Sequence, residues 1–165
     1  MKRFWKVISI FGTLGGGLAF MAAGFAADLQ LGLRIALDLV VITTLANTYK
    51  YFFFKPRPDN PEGIRPEKPF EPYEIWNYLS PRRFMDFFRY VDAGSAPSIH
   101  AARSMNQAAL FAAFFDKTEI SVALFVFALL ICWSRVELRR HFKTDITTGS
   151  ILGLLVAGLT VWLWN

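Results

Sequence analysis

Five long apolar segments dominate this sequence, and they limit the possible folds more than any other feature. They cover residues 7–27, 35–54, 98–115, 120–133 and 146–164. Hydrophobic residues make up 54% of the 165 residues, which is more apolar surface than a soluble domain of this size buries. The sequence therefore predicts a single domain (residues 1–165) of the all-α class, a polytopic transmembrane helical bundle with about five spans.

The first apolar segment follows a basic amino terminus, a combination that signal peptides also show. The segment is longer than the apolar part of a typical signal peptide, so we expect it to remain as a span. Gly12 and Gly16 are four residues apart, as in helices that approach a neighbour closely. The same spacing recurs at Gly149 and Gly153 in the last segment.

A long polar stretch, residues 59–96, separates the second and third apolar segments. Within it, residues 81–90 carry Phe84, Phe87 and Phe88 at helical spacing, with charged residues between them. This pattern predicts a short amphipathic helix lying in the membrane interface. Because connections of this length are usually functional, we expect the whole stretch to form a lid.

The overall charge indicates what kind of partner the chain has. The net charge is +5, and in a membrane protein such an excess favours lipid headgroups or anionic substrates. No nucleic-acid-binding motif is present, so we expect no nucleic-acid partner. The single cysteine, Cys132, lies in an apolar segment and predicts neither a disulfide framework nor a cysteine-based metal site.

Three polar clusters fall at the ends of the predicted spans, on one side of the membrane. They are residues 50–58, residues 96–100 and residues 134–145. In the third cluster His141 and Asp145 are four apart, so on a helix they share a face and can hydrogen-bond. Taken singly, each cluster has a structural explanation: interface anchors, a helix start with a core histidine, and a solvated basic loop.

Taken together, the clusters resemble the signature of the type 2 phosphatidic acid phosphatase family, which includes the vanadium haloperoxidases. That signature reads K-x-x-x-x-x-x-R-P, then P-S-G-H, then S-R-x-x-x-x-x-H-x-x-x-D. Here Lys50 and Arg57-Pro58 match the first block, and Pro97-Ser98-Ile99-His100 matches the second. Ser134-Arg135, His141 and Asp145 match the third, with the order and spacing of the family throughout.

The resemblance implies a role for each matched residue. His141 is the nucleophile that forms a phosphohistidine, His100 is the general acid, and Asp145 orients His141. The phosphate-binding residues are Lys50, Arg57, Ser98, Ile99 and Arg135. The three cations neutralise the phosphate, so the resemblance implies neither a metal nor another cofactor, and two histidines with one cysteine make a poor metal site.

Two features depart from the family pattern. Ile99 stands where the family usually has Gly, and a β-branched residue there favours a helical or extended backbone over a positive φ. Ile99 also adds bulk to the pocket. Bacterial members commonly have six spans, whereas five are predicted here.

The resemblance implies a lipid phosphatase in the inner (plasma) membrane. Its substrate is a lipid of the bilayer, and the candidates are phosphatidylglycerol phosphate, phosphatidic acid, a polyprenyl diphosphate and lipid A 1-phosphate. Family members resembling lipid A 1-phosphatases have about this length. The alternatives are a lipid phosphotransferase with the same phosphohistidine and a non-catalytic lipid-binding protein, while the apolar spans disfavour a soluble haloperoxidase. The oligomeric state stays open.

The side of the membrane that carries the site is also open. All but two of the 18 Lys and Arg residues lie on the side of the three clusters, the exceptions being Arg34 and Lys117. This bias predicts a cytoplasmic site. An anionic substrate requires basic residues on either side, however, and many bacterial relatives act on the outer face of the inner membrane.

Overall fold

The computed structural model describes residues 1–60 and 81–164, without the side chains of residues 81–84. Within these residues the chain forms seven helices and no β-strand, which confirms the all-α prediction. The helices are α1 (Lys2–Ile10), α2 (Leu14–Ala27), α3 (Leu29–Phe52), α4 (Pro81–Ala93), α5 (Ile99–Phe115), α6 (Thr118–Glu137) and α7 (Lys143–Trp164).

Helix α5 lies at the centre of the bundle and packs against α3, α6 and α7. Two glycines of α7 allow the closest of these contacts. A Cβ atom at Gly149 would lie 2.3 Å from the carbonyl oxygen of Ser98, and one at Gly153 would lie 2.1 Å from that of Ala102. The predicted close approach at this glycine pair is therefore confirmed, and it fixes α7 directly beneath the start of α5.

Three helices, α3, α6 and α7, are long and apolar enough to cross a membrane, and the bent pair α1–α2 adds a fourth. The predicted span 98–115 corresponds to α5, which is not in this set because it is shorter and more polar. Its buried residues include Arg103, Asn106 and Gln107. Since α5 is enclosed by other helices, these polar side chains do not face lipid.

The predicted span 7–27 is wrong as a continuous helix, because residues 11–13 interrupt it with a bend of 49°. Thr13 caps α2 by accepting a hydrogen bond from the backbone N–H of Gly16, at 3.2 Å. Glycines weaken a helix and a threonine can satisfy a free helix start, so the break is locally favourable. Gly12 and Gly16 consequently do not stack on one helix face as predicted.

The other predicted spans are found with shifted bounds. The span 35–54 corresponds to α3, which begins directly after Asp28, whose carboxylate accepts from the N–H of Leu31 at 2.9 Å. The spans 120–133 and 146–164 lie inside α6 and α7. Inside the bundle, Asp38 of α3 accepts hydrogen bonds from Asn106 of α5 (2.6 Å) and Thr160 of α7 (2.5 Å), and thereby joins three helices.

The predicted amphipathic helix 81–90 is found as α4. Phe87 packs on Tyr51 of α3, with ring centroids 5.8 Å apart, so it contributes to the protein interior more than to the lipid interface. Phe88 is partly exposed and lines the cavity described below. The side chain of Phe84 and residues 61–80 of the predicted lid 59–96 lie outside the described residues.

Candidate active site

The three polar clusters of the sequence meet at one end of the bundle, around a cavity of about 980 Å³. Of the eight predicted site residues, six line this cavity: Lys50, Arg57, Ile99, His100, Arg135 and His141. Ser98 and Asp145 are buried behind its wall. The helix ends bring the clusters together, because α3 ends, α5 begins and α6 turns into α7 at the same level.

The three cations predicted from the sequence face the cavity and are almost fully buried: Lys50 is 3% exposed, and Arg57 and Arg135 are 8% exposed. Arg57 forms an ion pair with Asp92 at 3.1 Å, and burial lowers the pKa of its guanidinium. Among the described residues no carboxylate contacts Lys50 or Arg135. The cavity therefore holds more positive than negative charge, which favours a bound anion.

Arg135 is fixed by a residue from the opposite end of the chain. Its Nη1 donates to the hydroxyl oxygen of Ser9 in α1, at 2.5 Å. Ser9 is itself buried, and it lines the cavity together with Lys6 and Thr13. The amino-terminal helices thus close one side of the site.

The turn after α6 sets the position of His141. Arg139 adopts the left-handed conformation with φ of 54°, and the N–H of Arg140 then donates to the carbonyl oxygen of Arg135 at 2.9 Å. This is the arrangement in which helices commonly end, although glycine is the usual residue at the left-handed position. The N–H of His141 reaches the same carbonyl at 3.3 Å, so the imidazole is held against the end of the helix that carries Arg135.

The imidazole of His141 has the properties of a nucleophile. Its Nδ1 lies 2.8 Å from the carbonyl oxygen of Ser95. Because a carbonyl only accepts, Nδ1 carries the proton and the lone pair is on Nε2. Burial, and then the charges of Arg135, Lys50 and Arg57, lower the pKa of His141 to about 3. The ring is therefore neutral at physiological pH.

The structure differs from the prediction at Asp145, because the partner of His141 Nδ1 is the Ser95 carbonyl and not this carboxylate. Asp145 accepts instead from the hydroxyl of Ser95, from Lys55 Nζ (2.5 Å) and from the backbone N–H of Phe142 (2.9 Å). His141 precedes the first turn of α7, so the two side chains do not share a helix face. Asp145 is thus connected to His141 through Ser95 and the backbone at Phe142.

The start of α5 carries the second cluster. Ser98 caps the helix, with its hydroxyl 3.5 Å from the N–H of Ala101. Ile99 is the first helical residue, which agrees with the expectation of a helical or extended backbone at this position. Free N–H groups at a helix start attract anions, so the bulky side chain does not remove the phosphate-binding property of the segment. His100 follows on the cavity wall, where a Cβ at Gly12 would lie only 2.8 Å from its ring.

Four residues at the site were missed by the sequence reasoning: Ser9, Lys55, Ser95 and Arg103. Ser9, Ser95 and Arg103 lie outside the three blocks of the family signature. Lys55 lies inside the first block, at a position where the signature specifies no residue type. Ser95 is the most central, since its carbonyl and hydroxyl contact His141 and Asp145 respectively. It is held in place by a hydrogen bond from its N–H to the carbonyl of Lys55, at 2.7 Å.

The fold and the site together define a helical membrane protein with an anion-binding cavity at one end of the bundle. The sequence profile of the PAP2 superfamily matches residues 28–165, which contain all three clusters. The chain belongs to the PAP2 superfamily, and this membership indicates a membrane phosphatase.

A solved structure supports the same fold. The crystal structure of Aquifex aeolicus LpxE superposes with a TM-score of 0.73, and the match covers 98% of this chain and 85% of that chain. The two sequences are 21% identical over this match. No curated protein sequence matches the chain.

Proposed function

We propose that the chain is an integral-membrane lipid phosphatase that acts through a phosphohistidine at His141 without a metal. One observation carries the proposal: a neutral imidazole, whose lone pair is on Nε2, lines a buried cavity together with Lys50, Arg57 and Arg135. Phosphoryl transfer requires an in-line nucleophile and stabilisation of negative charge on the equatorial oxygens. The imidazole supplies the first and the three cations supply the second.

The reaction has two steps. In the first, Nε2 of His141 attacks phosphorus, the bond from phosphorus to the leaving oxygen breaks, and His100 gives that oxygen a proton. The negative charge of the bound phosphate offsets the surrounding cations and so favours the imidazolium of His100 in the substrate complex. In the second, water attacks the phosphohistidine, the phosphorus–nitrogen bond breaks, and His100 takes the proton from the water. Inorganic phosphate leaves and both histidines regain their starting states.

Asp145 and Ser95 orient the nucleophile in this proposal. The Ser95 carbonyl fixes the imidazole tautomer, and the positive charge that develops on His141 strengthens this hydrogen bond. Asp145 fixes Ser95 through its hydroxyl, and it fixes the backbone next to His141 through Phe142. Ser98, Ile99 and the start of α5 contribute donors to the bound phosphate.

A lipid is the proposed substrate, because the cavity opens at the end of a bundle whose outer helices expose many large apolar side chains to the bilayer. Phe88 lines the cavity on the side of α4. Phosphatidylglycerol phosphate, phosphatidic acid, a polyprenyl diphosphate and lipid A 1-phosphate all present a phosphate at headgroup level. A panel of these lipids in mixed micelles, assayed for phosphate release, tests the class.

The decisive variant is His141→Ala, with Lys143→Ala as a matched control that removes an exposed side chain two residues away, at the start of α7. Loss of a nucleophile costs several orders of magnitude, so His141→Ala should retain well below about 1% of activity. The control should stay within about twofold, since surface changes are usually small. Quenching with labelled substrate in alkaline denaturant, in which a phosphorus–nitrogen bond is stable, should trap phosphate on His141. Activity of the alanine variant close to that of the wild type, or activity abolished by a chelator, would refute the mechanism.

For location we propose the inner membrane with the site on the cytoplasmic face, as the basic residues predict. Cys132 is buried, so introduced cysteines can report accessibility. Arg139→Cys lies on the face of the site, and Lys117→Cys lies in the turn at the other end of α6. A membrane-impermeant maleimide should label only Lys117→Cys in intact cells. Labelling of Arg139→Cys instead would place the site outside.

A further inference from the structure

Arg103 is a buried cation that the mechanism above does not use. It lies on α5, one turn beyond His100, and it lines the same cavity although it is only 7% exposed. Its Nη2 donates to the hydroxyl oxygen of Thr43 at 2.8 Å, and its Nε has no partner. Among the described residues no carboxylate contacts this guanidinium.

A buried charge without a counterion is costly, and inside a membrane bundle it usually marks a functional site. The buried carboxylate of α3, Asp38, forms no ion pair with Arg103 and has other partners. Asp38 accepts hydrogen bonds from Asn106, the residue one turn further along α5, and from Thr160. Arg57 shows the contrasting arrangement, because its charge is paired with Asp92. A structural role for Arg103 therefore leaves its charge unexplained.

Further donors face the cavity beside Arg103. Asn47 lies on α3 between Thr43 and Lys50, one turn from each, and all three residues line the cavity. Asn47 is mostly buried, yet its side-chain amide makes no hydrogen bond to a described residue. A polar stripe on α3 thus runs alongside the stripe of His100 and Arg103 on α5.

We propose that Arg103 and Asn47 form a second anion subsite, in which Thr43 fixes the guanidinium, and that the substrate is a lipid diphosphate. This rests on the proposed function, in which His100 protonates the leaving oxygen. Because Arg103 follows His100 by one turn, it lies on the side of the leaving group. The step of three residues from His100 to Arg103 advances the helix by ~4.5 Å, a distance that suits the adjacent phosphate of a diphosphate.

The chemistry of this substrate balances within the same two steps. The bond between the terminal phosphorus and the bridging oxygen breaks, and the terminal phosphoryl group moves to His141. The bridging oxygen takes the proton of His100 and stays on the lipid monophosphate that leaves. Arg103 compensates the charge of that second phosphate, whereas a neutral leaving group such as a diacylglycerol would leave the arginine unpaired.

The test compares a polyprenyl diphosphate with the polyprenyl monophosphate of the same chain length. The wild type should hydrolyse the diphosphate with the higher kcat/KM. Arg103→Gln should lower kcat/KM for the diphosphate by about 10- to 100-fold, the range for loss of one charge-assisted contact, and should change the monophosphate by less than about threefold. Equal losses on both lipids, or no loss on the diphosphate, would overturn the subsite.

Two further measurements keep the test decisive if Arg103→Gln fails to fold. Asn47→Leu should lower kcat/KM for the diphosphate alone, by about 5- to 10-fold. Inorganic diphosphate should also raise the unfolding temperature of the wild type more than inorganic phosphate does, independently of turnover. If the wild type hydrolyses only the monophosphate, the result would contradict the subsite but not the proposed phosphatase activity. If diphosphate stabilises the wild type but the protein hydrolyses no lipid phosphate, the result would contradict the proposed function but not the anion subsite.

Discussion

The hydrogen bond between the hydroxyl of Ser95 and Asp145 offers the sharpest test of how the nucleophile is held. If Asp145 acts through Ser95, removing the hydroxyl and removing the carboxylate charge should affect the same interaction. Ser95→Ala deletes only the hydroxyl, because the carbonyl that accepts from His141 belongs to the backbone and remains. Asp145→Asn keeps the shape of the side chain but replaces one acceptor oxygen with a donor.

The contacts of the carboxylate set the magnitudes. A hydrogen bond to a charged group contributes about 1.5–3 kcal/mol, and Ser95→Ala should cost the lower figure because Phe142 and Lys55 still donate to Asp145. In Asp145→Asn the new amide N–H group faces at least one group that is itself a donor, so we expect the protein to be destabilised by about 3 kcal/mol. Since the double variant loses the shared bond only once, the two changes should be coupled by about 1–2 kcal/mol.

The effects on turnover separate a relayed contact from a direct one. Where an aspartate directly holds the catalytic imidazole, its replacement by asparagine costs about 10⁴ in kcat. Here His141 keeps its carbonyl partner in both variants. We therefore expect kcat to fall about 10- to 100-fold in Asp145→Asn and less than about 10-fold in Ser95→Ala.

Thermal unfolding in detergent micelles and phosphate release measure the two quantities. At this chain length 1 kcal/mol shifts the unfolding temperature by about 2–4 °C, so Ser95→Ala should unfold about 3–6 °C lower. Ser121→Ala, which removes an exposed hydroxyl on α6, is the matched control and should change neither quantity. Coupling below about 0.5 kcal/mol, or a 10⁴-fold loss of kcat in Asp145→Asn with a neutral Ser95→Ala, would refute the relay.

Three further predictions concern the packing, the ionisation and the amino-terminal side of the site. Gly153→Ala should destabilise the protein by about 1–3 kcal/mol through overpacking, whereas Gly158→Ala, which has open space around it, should be neutral or stabilising in the same unfolding assay. In His100→Gln, His141 is the only histidine, and its ring NMR signals should not titrate between pH 5 and 8 because its pKa is lowered to about 3; a midpoint near 6.5 would contradict this. Ser9→Ala removes the hydroxyl that accepts from Arg135, so it should lower kcat/KM about 5- to 10-fold and affect kcat less. Ser9→Thr keeps the hydroxyl and should have the kcat/KM of the wild type.

The apolar segments predicted the helical membrane bundle because each segment is long and carries few charges. They did not predict the interruption at residues 11–13, since apolar composition continues through it and only the cap at Thr13 marks the new helix. They also did not distinguish α5 from a lipid-facing span. That distinction depends on which helices surround α5. One of them, α7, approaches α5 closely because it carries Gly149 and Gly153 at the contact.

The spacing of the motif predicted which residues surround the cavity, because each block lies at a helix end and the ends lie at one level. It did not predict the partner of His141. A separation of four residues implies a shared face only inside a helix, and α7 begins at Lys143, after the histidine. The partner is the backbone carbonyl of Ser95. Every residue type has this carbonyl, so the sequence does not indicate which residue supplies it.

The amino-terminal residues extend the site beyond the part of the chain that the superfamily defines. The match begins at residue 28, yet Ser9 accepts from Arg135, and Gly12 lies against the ring of His100. A side chain at position 12 would meet both that ring and Ile131 of α6, each at 2.8 Å, so the glycine is required by the packing around His100. Ser9 precedes the break in the first span and Gly12 lies within it. A chain reduced to residues 28–165 would keep every motif residue, but it would lose the acceptor of Arg135 and the packing of Gly12 against His100.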